Sequence, residues 1–270
     1  MPELPEVETT RLGLKKLIVG QKILSAHIYQ PRLRWPVPEH LLNTLDGQRV
    51  AGISRRGKYL LVEFKNGTLV MHLGMSGSIR VVDSELVLKK HEHFELKLSN
   101  NTSLRLDDPR RFGTVLWQNK GDMLPLLKSL GPEPLSDNFN ANYLFECSRN
   151  RTQNIKTFIM NAKIVVGVGN IYAAESLFLA KISPKTSAGK ISLKRYQVLT
   201  QSIKLILSEA IKNGGTTLKD FSGVDGKPGY FAQKLLVYGR ANAPCEKCNG
   251  TIKKIVQNQR ATYYCSQCQK

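Results

Sequence analysis

The chain has 270 residues, with 40 Lys and Arg against 21 Asp and Glu for a formal charge of +19. At 41% hydrophobic residues it can bury a core, so wholesale disorder is not expected, and its length predicts two domains at roughly 150 residues each. No apolar run approaches the ~18 residues of a membrane helix, and Glu3, Glu6 and Glu8 stand where a secretion signal would carry basic residues.

Secretion and membrane spanning are therefore not expected. The chain's charge points to a polyanionic partner, most often nucleic acid, with a merely soluble basic surface as the alternative. Residues 1–131 carry 20 basic and 13 acidic side chains (net +7), and residues 132–270 carry 20 and 8 (net +12), so the second half is expected to grip the polyanion more strongly.

Along the chain, Leu4, Val7, Leu14, Leu17 and Ile18 recur at helical spacing and Gly20 is a suitable stop. The spacing predicts an amphipathic helix over 4–18 led by a short exposed tip, with Pro5 tolerated in its first turn. From about 22 to 118 the pattern becomes short β-type runs: Lys22–Tyr29, Arg49–Arg55, Tyr59–Phe64, Thr68–Leu73, Ser78–Val82, Phe94–Leu98, Ser103–Leu106 and Thr114–Trp117. A helix within Leu41–Leu45 interrupts them. Many short strands with short connections predict an antiparallel sandwich or barrel.

Leu130-Gly131-Pro132-Glu133-Pro134 reads as a domain boundary, because two prolines forbid regular structure there. Helices are predicted at about 140–148, 152–161, 170–180 and 191–213, the last ended by Gly214-Gly215. Phe221 to Tyr230, with Gly223, Gly226 and Gly229, reads as a mobile loop, and the tail from about 237 as a separate small unit. The organisation is thus α+β: an antiparallel β-sandwich domain over 1–131, a helical domain over 132–235 and a cysteine unit over 236–270.

That tail holds Cys245-x2-Cys248, sixteen intervening residues and Cys265-x2-Cys268. Four thiolates in two C-x2-C pairs suit one tetrahedral zinc; two disulfides or free thiols are the alternative, disfavoured by the absence of a secretion signal. Four ligands leave no open position, so the metal is structural and staples a hairpin too small to fold alone. Lys253, Lys254 and Arg260 between the pairs suit phosphate. Cys147 lies apart and reads as a small buried residue.

Removal of Met1 would free the secondary amine of Pro2 beside Glu3 and Glu6. An α-amino group titrates near 7.7–8.0, against about 10.4 for lysine, so far more of it is neutral at physiological pH. Condensed with an aldehyde carbon, it gives a cationic iminium, an electron sink for eliminations. A frayed tip whose proline merely starts a helix is the plainer reading.

Met1-Pro2-Glu3-Leu4-Pro5-Glu6-Val7-Glu8-Thr9 resembles the start of the bacterial formamidopyrimidine-DNA glycosylases, enzymes that excise 8-oxoguanine and ring-opened purines. The resemblance continues in order through 55–60, His72-Leu73-Gly74-Met75-Ser76-Gly77, Asp108-Pro109-Arg110-Arg111-Phe112-Gly113, 130–135, 166–173, 214–221 and the cysteine tail. It covers essentially the whole chain.

It implies a base-excision-repair glycosylase and lyase acting on damaged double-stranded DNA as a monomer, with one structural zinc, no small-molecule cofactor, no membrane partner and a bacterial cytoplasmic, nucleoid-associated location. Pro2 would attack C1′ and Glu3 donate protons. Lys58 would assist β-elimination, Arg260 δ-elimination, and Glu6 would hold the amino terminus and the sugar.

Met75, Arg110 and Phe112 match the family's intercalating trio, which fills the hole left by the flipped base; the alternatives are a core Met, a surface Arg and a core Phe. His72, His91, Arg151 and Asn170 match DNA-contacting positions. Around Arg151, Arg149-Asn150-Arg151 only approximates the family's basic run. Asn170 would open a helix of a helix–two-turns–helix unit, and Ser222–Phe231 would close over the flipped base.

Two rivals are a non-catalytic zinc-bearing DNA binder and the sister endonuclease VIII class for oxidised pyrimidines. Leu4, where that class typically carries Gly, and the 75/110/112 trio favour the purine enzyme.

Overall fold

The amino-terminal helix shows how far periodicity carries and where it stops. In the computed structural model, which describes residues 2–215 and 235–270, α1 spans Leu4–Ile18, with Leu4, Val7, Leu14 and Ile18 buried. Leu17, expected on the same stripe, is 43% exposed. The exposed tip is overturned as well: Pro2 and Glu3 are buried, because Glu3 is spent on capping the helix. Glu6 Oε2 accepts the Glu3 amide at 2.8 Å, and the Glu3 side chain meets the Glu6 amide in return, a reciprocal capping box.

The described residues divide into two compact units, 2–128 with 214–215, and 129–213 with 235–270. In the first, all eight expected strands form: β1 (Ile23–Ile28), β2 (Gly52–Arg56), β3 (Tyr59–Glu63), β4 (Gly67–His72), β5 (Ser78–Asp83), β6 (Glu92–Leu98), β7 (Thr102–Asp107) and β8 (Thr114–Asn119), with α2 (Leu41–Leu45) after β1.

They make two four-stranded antiparallel sheets, ordered β1-β6-β7-β5 and β2-β3-β4-β8. Alternate residues of both sheets, Leu60, Val62, Leu69 and Met71 on one and Phe94, Leu96, Leu104 and Leu106 on the other, join one apolar core with Val7, Leu14 and Ile18 of α1. This is the expected sandwich. β6 is buried on both faces, since its second face carries Glu95 against Arg105.

A short helix, α3 (Pro125–Lys128), was not anticipated. The second unit holds α4 (Ala141–Ser148), α5 (Ile155–Ile159), α6 (Asn170–Leu179) and α7 (Leu193–Lys212). α5 is shorter than the expected 152–161. Asn154 caps its start by accepting the Thr157 amide at 2.9 Å, and beyond Met160 the amide of Ile164 turns back onto Asn161 O at 2.8 Å.

α6 is buried nearly all round, from Ile171 to Phe178, and α7 buries one stripe of Tyr196, Leu199, Ile203, Leu207 and Ala210. The antiparallel hairpin of β9 (Ile252–Gln257) and β10 (Arg260–Cys265) packs Cys245, Ile252 and Cys265 with Ala174 and Phe178 of α6. The stretch 221–230, expected as a closing loop, lies outside the described residues, and among those described no helix is long and apolar enough to cross a membrane.

Candidate active site and metal centre

Three of the expected catalytic side chains meet at the start of α1. Pro2, Glu3 and Glu6 are all buried, the two carboxylates at 1% and 2% exposure. Gly215, at φ +80°, lies against Glu6: a Cβ there would come within 3.0 Å of Oε1. The Gly214-Gly215 pair thus does more than stop a helix, since only a residue without a side chain lets the backbone pass that carboxylate.

Lys58 sits in the two-residue turn between β2 and β3. The turn is braced by Arg55, which donates to Gly57 O at 2.8 Å and to Glu8 Oε2 at 2.9 Å, while Arg11 donates to the same carboxylate of α1. Burial alone would raise the Glu8 carboxyl, but the Arg11 and Arg55 hydrogen bonds hold it below its ordinary value.

His72 pairs with Tyr59 across β3 and β4, ring centroids 4.8 Å apart. Burial, and then the positive charges of Lys58 and Arg34, push its imidazole down to about 4. The Gly74 amide donates to His72 Nδ1 at 2.9 Å. The ring is therefore neutral at physiological pH and carries its proton on Nε2, ready to donate.

Met75 and Phe112 are exposed, 38% and 43%, as expected for wedges and not for core residues. The Arg110 guanidinium lies 4.9 Å from the Phe112 ring centroid. His91 is half-buried, and its carbonyl accepts the Asp108 amide at 2.9 Å at the base of the Arg110 loop.

In the second unit, Asn170 opens α6. Its Oδ1 accepts from Lys156 Nζ at 2.5 Å and its Nδ2 donates to Ala261 O at 3.1 Å, beside Arg260. Lys156 is only 2% exposed and also donates to Ala261 O and Thr262 Oγ1. This buried hub joins helix to hairpin, and sequence reasoning missed it because a lysine in a helical stretch ordinarily faces water.

Arg260 is exposed next to a two-residue turn in which Asn258 and Gln259 both have positive φ, +46° and +59°. With Lys156, Thr157 and Asn258 it lines a half-open cavity of about 340 Å³. Arg151 is exposed after α4, its amide donating to Ser148 O and its carbonyl accepting the Gly189 amide, each at 3.0 Å.

A second missed group is Glu175, 1% exposed, whose carboxylate accepts the amides of Leu236, Val237 and Tyr238 at 2.8–3.0 Å. Burial raises its carboxyl above the ordinary value, against the pull of those three amides.

The four tail cysteines converge, all Sγ atoms lying within 4.8 Å of one another. Cys245–Cys268 and Cys248–Cys265 are 3.8 and 3.5 Å apart, far from the ~2.05 Å of a disulfide and near the ~3.8 Å edge of a tetrahedron with metal–sulfur bonds of ~2.3 Å. Gln269 closes the site from behind, accepting the Cys265 amide and donating to Ile182 O, both at 2.9 Å. The set fits one structural zinc. Cys147, half-buried in α4, is no part of it.

Residues 1–115 match the formamidopyrimidine-DNA glycosylase N-terminal domain, 130–222 the H2TH domain of the same enzymes, and 243–270 the zinc finger found in FPG and IleRS. Formamidopyrimidine-DNA glycosylases of Vesicomyosocius okutanii and Stenotrophomonas maltophilia are 60% and 53% identical, over 100% of both chains in each case. A Lactococcus lactis FPG mutant in complex with a Fapy-dG containing DNA superposes with a TM-score of 0.94 at 37% identity, covering 100% of each chain. The same organism's Fpg in complex with an abasic site containing DNA gives 0.93 at 38%, over 99% of each. With the N-terminal domain, the H2TH domain and the zinc finger all matched in order, the chain belongs to the formamidopyrimidine-DNA glycosylase family.

Proposed function

We propose that this chain is a bifunctional DNA glycosylase and AP lyase of base-excision repair that removes oxidised purines from double-stranded DNA. The observation that carries the reading is the buried cluster of Pro2, Glu3 and Glu6 at the start of α1, in a chain whose relatives are formamidopyrimidine-DNA glycosylases. The Lactococcus lactis complexes with Fapy-dG and abasic-site DNA supply the substrate class.

With Met1 removed, Pro2 presents a secondary amine, and an α-amino group is partly neutral at physiological pH. That nitrogen attacks C1′ as the glycosidic bond breaks and Glu3 supplies protons for base departure and ring opening, leaving an iminium to the sugar. The iminium draws electrons from the C2′–H bond, so the 3′-phosphate leaves in β-elimination, assisted by Lys58. Arg260 serves the second, δ-elimination of the 5′-phosphate.

Glu6 holds the Glu3 amide, and thus the reacting end, in place. His72 donates Nε2–H to a phosphate oxygen, and His91, Arg151 and Asn170 bind the backbone. Met75, Arg110 and Phe112 occupy the gap left by the flipped base, Arg110 reading the unpaired cytosine. The zinc holds the hairpin's shape. In this reading residues 1–131 are the catalytic domain, 132–235 the DNA-binding helical domain, and 236–270 the zinc finger. The enzyme works as a cytoplasmic, nucleoid-associated monomer without a small-molecule cofactor.

Borohydride trapping on duplexes with 8-oxoguanine opposite cytosine tests this. A covalent adduct is expected with the processed protein and its near-complete loss in Pro2→Gly. Equal trapping with a blocked terminus would overturn the nucleophile, and preference for thymine glycol would move the chain to the oxidised-pyrimidine class.

A further inference from the structure

The loop that carries Arg110 and Phe112 is built on a carboxylate that the chemistry above does not use. Asp108 is wholly buried. Its Oδ2 accepts the Gly113 amide at 2.6 Å, and its carbonyl accepts the Arg111 amide at 3.1 Å and lies 3.0 Å from His93 Nε2. These contacts close 108–113 into a ring in which Arg111 is held at φ +54° and the side chains of Arg110, Arg111 and Phe112 stay exposed. Asp108 Oδ1 has no hydrogen-bond partner among the described residues. A wholly buried carboxylate whose Oδ2 is committed to a loop amide fixes the loop's path more firmly than apolar packing would.

The ring is locked from outside as well. Arg34 donates its amide to Gly113 O at 3.1 Å. A Cβ on Gly113 would lie 2.8 Å from Asp108 Oδ2 and 2.9 Å from His72 O. A Cβ on Gly74 would lie 2.5 Å from the carbonyl carbon of Phe112 and 2.6 Å from Gly113 N. The turn bearing Met75 and the loop bearing Arg110 and Phe112 therefore touch backbone to backbone, and neither moves without the other.

We infer that Asp108 is a positioning residue that sets the enzyme's opposite-base preference: by holding the Gly113 amide it fixes the direction in which Arg110 and Phe112 leave the loop. This rests on the reading of Arg110 as the group that meets the unpaired cytosine. Arginine reads a base through hydrogen bonds of fixed fork geometry, so a small loop shift erases the discrimination. Pro2 and Glu3 lie just before α1 and Lys58 in the β2–β3 turn, outside the ring, and keep their places.

The test compares Asp108→Ala, Asp108→Asn and Gly74→Ala with the parent protein. Three readouts serve: excision of 8-oxoguanine opposite C against A, affinity for a duplex with a non-cleavable abasic analogue opposite C against A, and cleavage of a preformed abasic site. In Asp108→Ala both C-over-A ratios are expected to fall by about ten-fold, with single-turnover cleavage of the preformed abasic site at saturating protein kept within about two-fold. Asp108→Asn, whose amide oxygen still accepts the Gly113 N–H, is expected to restore most of the preference. Gly74→Ala, which pushes on the loop from the other side, is expected to lower the same ratios and carries the test if Asp108→Ala does not fold.

Unchanged ratios in Asp108→Ala, an equal loss of every activity, or an Asn variant indistinguishable from Ala would overturn the assignment. Absence of trapping in the parent would instead sink the glycosylase reading, while the affinity ratio would still report on the loop.

Discussion

The two units bury charge in different ways. Within the β5–β7 sheet of the sandwich, charges meet charges: Arg105 lies 2.7 Å from Glu95 and 3.3 Å from Glu92, with Arg80 on the same Glu92, while at the edges of that unit Glu3, Glu6 and Asp108 accept backbone amides. In the helical unit, buried charges meet backbone and amide dipoles, Glu175 accepting three amides and Lys156 donating to oxygens of Asn170, Ala261 and Thr262.

Inside the sheets the ladders already satisfy the backbone, leaving side chains of β5, β6 and β7 to neutralise one another. The hairpin and the 235–238 segment share no ladder with the helices, so side chains of α5 and α6 must satisfy their backbone groups instead. The apolar cores differ likewise. That of the sandwich draws on two sheets and two helices, whereas the hairpin cluster comprises Ala174, Phe178, Val237, Cys245, Ile252 and Cys265, two of them metal-site cysteines.

Metal removal should separate the units most. A structural zinc in such a site contributes on the order of 10 kcal/mol of apparent folding free energy. Chelation or Cys265→Ser should therefore strip amide-exchange protection from β9 and β10 and abolish DNA binding, while the melting of the sandwich stays put. Protection retained in the hairpin, or collapse of both units together, would break the contrast.

The buried charges come next. Glu95→Gln leaves Arg105 only partly compensated and should cost about 3 kcal/mol in global urea unfolding. Glu175→Gln should instead act locally, raising amide exchange at Leu236, Val237 and Tyr238 with a smaller effect on global stability. If the two variants show the same pattern, the distinction between charge pairing and dipole pairing is wrong.

The smallest effect is in pH. The unfolded chain protonates His72 below about 6.5, whereas the folded ring resists until about 4. The folded state thus binds fewer protons over that interval, and stability should decline as pH falls from 6.5 toward 4, with no further loss from this group below it. Glu8 acts lower: its contribution is present above its ordinary 4.5 and is lost as pH falls through its depressed folded value. Imidazole nitrogen shifts should report a neutral His72 ring protonated on Nε2 at pH 6, and His72→Gln should flatten the 6.5–4 slope. A ring titrating at its ordinary value would contradict the depressed state.

Local pattern determined a great deal about this chain. Short runs rich in Val, Ile, Leu or aromatics marked the eight sandwich strands, helical spacing marked α1, and two C-x2-C pairs marked the metal centre, because each signal lies within a few residues of sequence. Resemblance of ordered motifs identified the family and its candidate site residues.

Tertiary structure decided what depends on neighbours far along the chain: the burial of Pro2, the passage of Gly215 over Glu6, the neutral His72 between Lys58 and Arg34, the contact of Gly74 with the Phe112 backbone, and the polar hubs at Lys156 and Glu175. Periodicity says which face a side chain takes. Only the pairing of distant segments says what stands opposite it, and therefore its charge, its tautomer and its freedom to move.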